Sequence, residues 1–131
     1  AKDFIFTYEK CFEVNKLSIA SFQLHQAAET AYKALLLVQT NYCPRDHFLV
    51  SMSKATQEVI SGMEEIFPIK TQEDEELFKL FDYAYIGARY DSEFQISKKD
   101  LEYLSERVRL LLKISEKLCN EKIEKLKNAY S

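Results

Sequence analysis

The sequence contains little of what usually interrupts helices, builds strands or spans a membrane. Only two glycines and two prolines occur among its 131 residues, so few positions favour turns. No apolar run approaches the roughly 18 residues of a membrane-spanning helix. No segment alternates apolar and polar residues over a useful length, as a half-buried strand does. We therefore expect helices, with neither a sheet nor a membrane span.

The sequence is also poor in the residues and motifs of several functional classes. The formal net charge is -3, which argues against a dedicated nucleic-acid binder but leaves room for a local basic pocket. The three cysteines are odd in number and show no C-x-x-C spacing, which predicts reduced thiols in a cytoplasmic protein. There is no Gly-rich phosphate loop and no G-x-S-x-G. The two histidines form no zinc-binding pattern, so we expect no metal and no cofactor.

The residues that are present predict one all-α domain over 1–131, an up-and-down bundle of about five helices. Hydrophobic residues make up 47% of the chain and charged residues 30%, as amphipathic helices require. The central helix is predicted over Leu17–Thr40, because its apolar residues recur at steps of three and four. These are Ala20, Leu24, Ala27, Ala31, Leu35 and Val38.

The other helices follow from the same periodicity and from capping residues. We predict a first helix over Lys2–Val14, followed by a break at Asn15 and Ser18, and a third helix capped by Asp46. The fourth helix is predicted from its capping residue Thr71 to Arg89. A long C-terminal helix is predicted from its capping residue Ser97 to about Lys127. The third helix is expected to bury Leu49, Met52, Val59 and Met63. The last helix and the aromatic first helix (Phe4, Tyr8, Phe12) offer more apolar surface than this bundle needs, which predicts a homodimer.

Two polar rows are candidate sites. His25, Glu29 and Lys33 stand four residues apart and therefore on one side of the central helix. The ordinary interpretation is a surface Glu–Lys pair worth about 0.3–0.5 kcal/mol. If His25 and His47, the two histidines of the chain, entered one site, acid–base chemistry would be available.

The second row lies on the fourth helix and comprises Asp82, Tyr85 and Arg89. An arginine and a tyrosine on one face can hold a phosphate and stack against a base. The alternative is that Arg89 only complements the negative end of its helix dipole, while Tyr85 fills an edge of the core.

Four segments together resemble a HEPN domain over Ile5–Lys127: FQLHQAAETAYKALLLV, PRDHFL, LFKLFDYAYIGARYDSEFQIS and LSERVRLLLKISEKL. The chain is most similar to the bacterial group in which this domain follows a nucleotidyltransferase domain. The resemblance implies a helical bundle that dimerises, with a site in a cleft near the dimer interface. It also implies that the chain is the C-terminal part of a longer polypeptide.

The ribonucleases of this family carry an arginine followed, after four to six residues, by a histidine. Arg89 matches the arginine, but the eligible positions hold Phe94, Gln95 and Ile96. Without that histidine a proton-transfer contribution of about 10²–10⁴-fold is lost, so we expect no catalysis from this motif.

The expected function is a non-catalytic nucleotide- or polynucleotide-binding and dimerisation module that works with a nucleotidyltransferase in cis or in trans. The expected ligand-binding residues are Asp82, Tyr85, Arg89, Tyr90, His25, Glu29, Lys33 and His47. One alternative is a metal-independent, toxin-like endoribonuclease that uses His47 or His25 in place of the missing histidine. The other is a purely structural helical interaction domain.

Overall fold

The computed structural model describes residues 2–130, and within that range the chain forms helices and no strands. The five α-helices are α1 (Lys2–Glu13), α2 (Leu17–Thr40), α3 (Leu49–Val59), α4 (Gln72–Tyr90) and α5 (Lys98–Tyr130), with a single 3₁₀ turn at Met63–Glu65. The predicted all-α bundle with a long C-terminal helix is confirmed. None of the described helices is long and apolar enough to cross a membrane.

Helix α2 lies at the centre of the bundle and packs against the other four α-helices. The small side chains of Ala20, Ala27 and Ala31 are buried along it and allow its neighbours to approach closely. Leu24 and Leu35 are fully buried between them. The predicted bounds and buried face of this helix are confirmed, except that Val38 is only half-buried.

Two asparagines bound α2 because both adopt the left-handed conformation that asparagine tolerates. Asn15 has φ 62° and turns the chain between α1 and α2, while Asn41 has φ 60° and follows the last residue of α2. Ser18, predicted to help break the helix, lies inside α2 instead, and its carbonyl accepts a bond from the Ser21 hydroxyl. Asn15 alone supplies the backbone geometry that the turn requires.

The predicted caps of the last two helices are confirmed. The Thr71 hydroxyl accepts a hydrogen bond from the Asp74 amide at 3.1 Å, and the Ser97 hydroxyl accepts one from the Asp100 amide at 3.1 Å. Each bond satisfies an amide that has no partner within its own helix.

Three predictions about the outer helices are wrong. Val59 is 46% exposed because α3 ends there and the chain turns away toward the 3₁₀ turn. Asp46 accepts a bond only from the amide of Phe48, ahead of α3, so it does not cap that helix. The aromatic face of α1 is not surplus surface, because Tyr8 is buried and donates to the Leu101 carbonyl of α5.

Helix α5 extends beyond the bundle, as its predicted length allowed. Its 33 residues give a length of about 50 Å at 1.5 Å per residue. Leu101, Leu104, Val108 and Leu111 are buried, but every residue from 120 to 130 is exposed.

Candidate functional site

The imidazole of His25 is fully buried in the face of α2 that packs against α4. Its Nε2 atom lies 3.3 Å from Oδ1 of Asp82. Its Nδ1 atom faces Oε1 of Glu29 at 3.8 Å, which is too long for a hydrogen bond. The ring also contacts those of Phe81 and Tyr85, with centroids 5.9 and 5.5 Å away. His25 is therefore enclosed by protein.

The carboxylate of Asp82 on α4 caps a different helix. Its Oδ1 accepts a bond from the amide of Leu49 at 2.7 Å, and its Oδ2 accepts one from the amide of Val50 at 3.2 Å. These amides open α3, where the preceding residue provides no side-chain cap. A negative charge is stabilising at this end of a helix. Asp82 thus joins α2, α3 and α4 through a single group, and both of its oxygens are occupied by protein donors.

Glu29 is buried and brings the two histidines together. Its Oε2 atom accepts from the Lys33 ammonium at 3.0 Å and from Nδ1 of His47 at 2.9 Å, while Oε1 faces His25. The residue is only 7% exposed. The interpretation of Glu29 and Lys33 as an ordinary surface pair is therefore wrong. The spacing of residues along α2 could not reveal this, because the carboxylate is covered by His47 from the loop before α3. Because a carboxylate oxygen accepts hydrogen bonds, Nδ1 of His47 is the donor in this contact.

A group of stacked side chains continues outward from this carboxylate. His47 lies parallel to Tyr85, with ring centroids 4.3 Å apart and an interplanar angle of 12°. The guanidinium carbon of Arg89 lies 4.4 Å from the Tyr85 centroid, 4.9 Å from that of Phe22 and 5.0 Å from that of Tyr90. We call these five residues, Phe22, His47, Tyr85, Arg89 and Tyr90, the Arg89 stack.

Arg89 is exposed, and its orientation is set by its own helix. Its Nε–H donates to the carbonyl of Tyr85 at 2.9 Å, which folds the side chain back along the last turn of α4. Within residues 2–130 no carboxylate forms an ion pair with it. The helix-end role considered for Arg89 is thus compatible with its exposure to solvent. Lys33, by contrast, is already paired with Glu29.

The end of α4 is held by close packing at Gly87. A methyl group there would come within 2.7 Å of the Tyr83 ring and 2.8 Å of the Phe94 ring. The Tyr83 hydroxyl donates to Oδ2 of Asp91 at 2.8 Å, and this bond raises the pKa of Tyr83 above its ordinary value. These contacts fix the direction in which the chain leaves the Arg89 stack.

The eight residues expected to form the site fall into two connected groups. His25, Glu29, Lys33 and Asp82 form a polar cluster, in which His25 and Glu29 are buried and the other two are partly buried. Tyr85, Arg89 and Tyr90 belong to the Arg89 stack. His47 links the groups because it contacts both Glu29 and Tyr85. Phe22 was not among the predicted site residues, although its position three residues before His25 places it on the same side of α2.

HEPN ribonucleases carry a histidine four to six residues after the arginine that Arg89 resembles. In this chain, two of the three corresponding positions hold buried residues of the hydrophobic core. Phe94 and Ile96 are both 7% exposed, whereas Gln95 is exposed. In the described part of the chain, no group of three or more histidine, cysteine, aspartate or glutamate side chains is arranged to hold a metal ion.

Comparison with known protein families gives one match of wide coverage. A model of the HEPN domain matches residues 1–118 of the 131 in the chain. Comparison with curated proteins gives no significant match. The chain belongs to the HEPN domain family, whose members are nucleotide-binding or ribonuclease-like modules.

Proposed function

We propose that this HEPN domain is a non-catalytic nucleotide- or polynucleotide-binding and dimerisation module, and that its ligand contacts the Arg89 stack. The observation that carries the proposal is the exposed guanidinium against the Tyr85 ring at 4.4 Å. A planar cation that pairs with no carboxylate of the described residues suits a phosphate, and neighbouring aromatic rings suit a base.

The charges around the stack support a small number of phosphate contacts. Lys33 is neutralised by Glu29, and Asp82 is opposed by the amides that open α3. Arg89 therefore supplies the positive charge that a ligand would meet at the stack. In this proposal His25, Glu29 and Asp82 hold His47 and Tyr85 in place without contacting the ligand.

Binding measurements on matched variants test this proposal. We would titrate wild type, Arg89→Ala, Arg89→Lys and Lys79→Ala with ATP, GTP and a short labelled RNA at two stated salt concentrations, since phosphate contacts depend on salt. Lys79 is the control because it is an exposed basic residue of the same helix that pairs with Glu75. We expect Arg89→Ala to lose at least about tenfold in affinity, which is about 1.4 kcal/mol. Arg89→Lys should lose part of it, and Lys79→Ala none.

Equal binding by wild type and Arg89→Ala would refute the site. If wild type bound none of the three ligands, the structural interaction domain would be the better description. Circular dichroism of each variant, compared with wild type, shows whether lost binding reflects lost fold.

One observation favours endoribonuclease activity as a second candidate function. His47 stacks on the same tyrosine that Arg89 contacts, whereas His25 is fully buried and cannot meet a substrate. For this second candidate we propose His47 as the general acid or base, because His47 and Arg89 both contact Tyr85. Incubating the labelled RNA with wild type in EDTA decides between the candidates. Cleavage that disappears in both His47→Ala and Arg89→Ala would replace the non-catalytic proposal, and intact RNA would support it.

Dimerisation is proposed through an exposed face of α4 that includes Tyr90 of the Arg89 stack. Tyr83 and Ile86 are each 43% exposed and Tyr90 is 75% exposed, and steps of three and four place them on one side of the helix. Sedimentation equilibrium should give twice the monomer mass of 15.4 kDa, and Ile86→Ser should shift the protein toward monomer. A monomeric wild type at high micromolar concentration would count against this part of the proposal.

The association with a nucleotidyltransferase is supported by the resemblance to the bacterial group that carries both domains. A nucleotidyltransferase from the same polypeptide or the same operon should copurify with this domain when the two are coexpressed. Separate elution of the two proteins would contradict the association.

A further inference from the structure

The C-terminal part of α5 presents an apolar stripe that nothing in the described structure covers. Ile123 is 48% exposed, Leu126 47% and Tyr130 88%. They follow one another at steps of three and four, so they share one face of the helix. Helical geometry places this face in line with the buried residues Val108 and Ser115. The stripe that holds α5 to the bundle therefore continues past the bundle.

Basic side chains lie on both sides of the exposed stripe. If Ile123 and Tyr130 are assigned to a positions of a heptad and Leu126 to a d position, Lys122 occupies g and Lys127 occupies e. Both lysines are exposed. The acidic residues of the segment, Glu121 and Glu124, fall at f and b, away from the stripe.

These flanking charges disfavour pairing of the stripe with itself. In a parallel pair, Lys122 would face Lys127 of the second copy, because g positions meet the e positions of the next heptad. In an antiparallel pair with Ile123 opposite Leu126 of the second copy, like positions meet, so Lys122 would face Ala129 and Lys127 would face Asn120. The parallel arrangement opposes like charges, which is a recognised means of rejecting a partner, and neither arrangement gives the two lysines an acidic partner.

We propose that residues 119–130 form a docking surface for a helix of another polypeptide whose apolar seam is flanked by acidic residues. Charge complementarity with Lys122 and Lys127 selects this partner over a second copy of the chain. The surface is separate from the Arg89 stack, so the inference does not depend on the proposed nucleotide site.

Two synthetic helical peptides serve as probes of this surface. Both carry leucine at a and d positions over about three heptads; one has glutamate at e and g, and its twin has lysine there. Fluorescence anisotropy with the full chain should show at least tenfold tighter binding of the acidic-flanked peptide. The preference should weaken as salt is raised, because the flanking charges are exposed.

Two double variants separate this surface from net charge. Lys122→Glu with Lys127→Glu should reverse the preference toward the basic-flanked peptide. Lys117→Glu with Lys125→Glu makes the same change in net charge on the opposite side of the helix, and it should leave the preference unchanged. Ile123→Ser with Leu126→Ser should abolish binding of both peptides without loss of the bundle's melting transition.

Three results would overturn the proposal. The first is equal binding of the two peptides, or an equal response to the two lysine double variants. The second is self-association of the wild-type chain that is lost in Ile123→Ser with Leu126→Ser, which would assign the surface to a second copy. The third is binding to phosphatidylserine-containing vesicles without a preference between the peptides, which would assign it to a lipid surface.

Discussion

Replacing Asp82 by alanine distinguishes two roles for this carboxylate. Its contacts indicate that it caps a helix, whereas its place beside Tyr85 and Arg89 on α4 first suggested that it contacts a ligand. The change leaves the amides of Leu49 and Val50 without an acceptor and removes the partner of His25 Nε2. A lost cap costs about 0.5–2 kcal/mol, and a buried polar group left without a partner costs about 1–3 kcal/mol. Allowing for overlap between these terms, we expect a loss of about 3 kcal/mol in the free energy of unfolding.

Thermal unfolding followed by circular dichroism measures this loss. An unfolding entropy of about 2.1 cal/mol/K per residue, applied to 131 residues, converts about 3 kcal/mol into a fall in Tm of about 10 °C. Asp46→Ala is the matched control, because exposed Asp46 accepts a single amide bond just before the same helix. Its Tm should fall by less than about 4 °C, which is about 1 kcal/mol.

Hydrogen exchange locates the effect. In Asp82→Ala the amides of α3 should lose protection more than those of α1, because the cap acts on α3 alone. Asp82→Asn keeps an oxygen for one amide and should be intermediate in Tm. If Asp82→Ala melted within about 3 °C of wild type while nucleotide binding was lost, the capping role would be wrong and the ligand role correct.

Three further predictions concern the core, the end of α4 and its tyrosine. Leu35→Ala should destabilise the protein by about 2–5 kcal/mol in chemical unfolding, because a fully buried leucine leaves a cavity in the central helix; a loss below about 1 kcal/mol would contradict this burial. Gly87→Ala should cost about 1–3 kcal/mol by the same measurement, because its methyl group would meet the Tyr83 and Phe94 rings, and an unchanged stability would show that the rings move aside freely. Tyr83 should ionise above its ordinary pKa, since its hydroxyl donates to Asp91. The hydrogen bond favours the neutral form of Tyr83 in the folded state, so its contribution to stability is complete below pH about 10 and is lost as pH rises through the raised pKa. Absorbance titration of the tyrosines in wild type and in Asp91→Ala measures this shift, and identical curves would contradict the hydrogen bond.

Local periodicity was sufficient to predict the helices, because each helix satisfies its backbone bonds internally and buries one face. The bounds of α2 and the caps at Thr71 and Ser97 follow from residues within a few positions of each other. Val59 was placed wrongly because periodicity carries no information about where a helix loses its neighbours.

The contacts that assemble the site could not be read in the same way. Asp82 and Leu49 are far apart in sequence, and nothing local shows that a carboxylate on α4 caps α3. The parallel stacking of His47 on Tyr85 depends equally on how a loop crosses two helices. The row His25, Glu29 and Lys33 was correctly recognised as one face of α2, but its burial depends on the helices that cover it.

The central position of α2 has a consequence for synthesis of the chain on the ribosome. Ser115 of α5 donates to the carbonyl of Ala31, so this side of α2 is covered by residues made long after it. Roughly 75 residues separate the end of α2 from that contact, and at about 5–20 residues per second their synthesis takes roughly 4–15 s. During this interval α1 can fold back onto α2 across a turn of three residues, 14–16, but the face for α5 stays open. A nascent chain therefore displays an alanine- and leucine-lined helix to its surroundings until its final helix emerges.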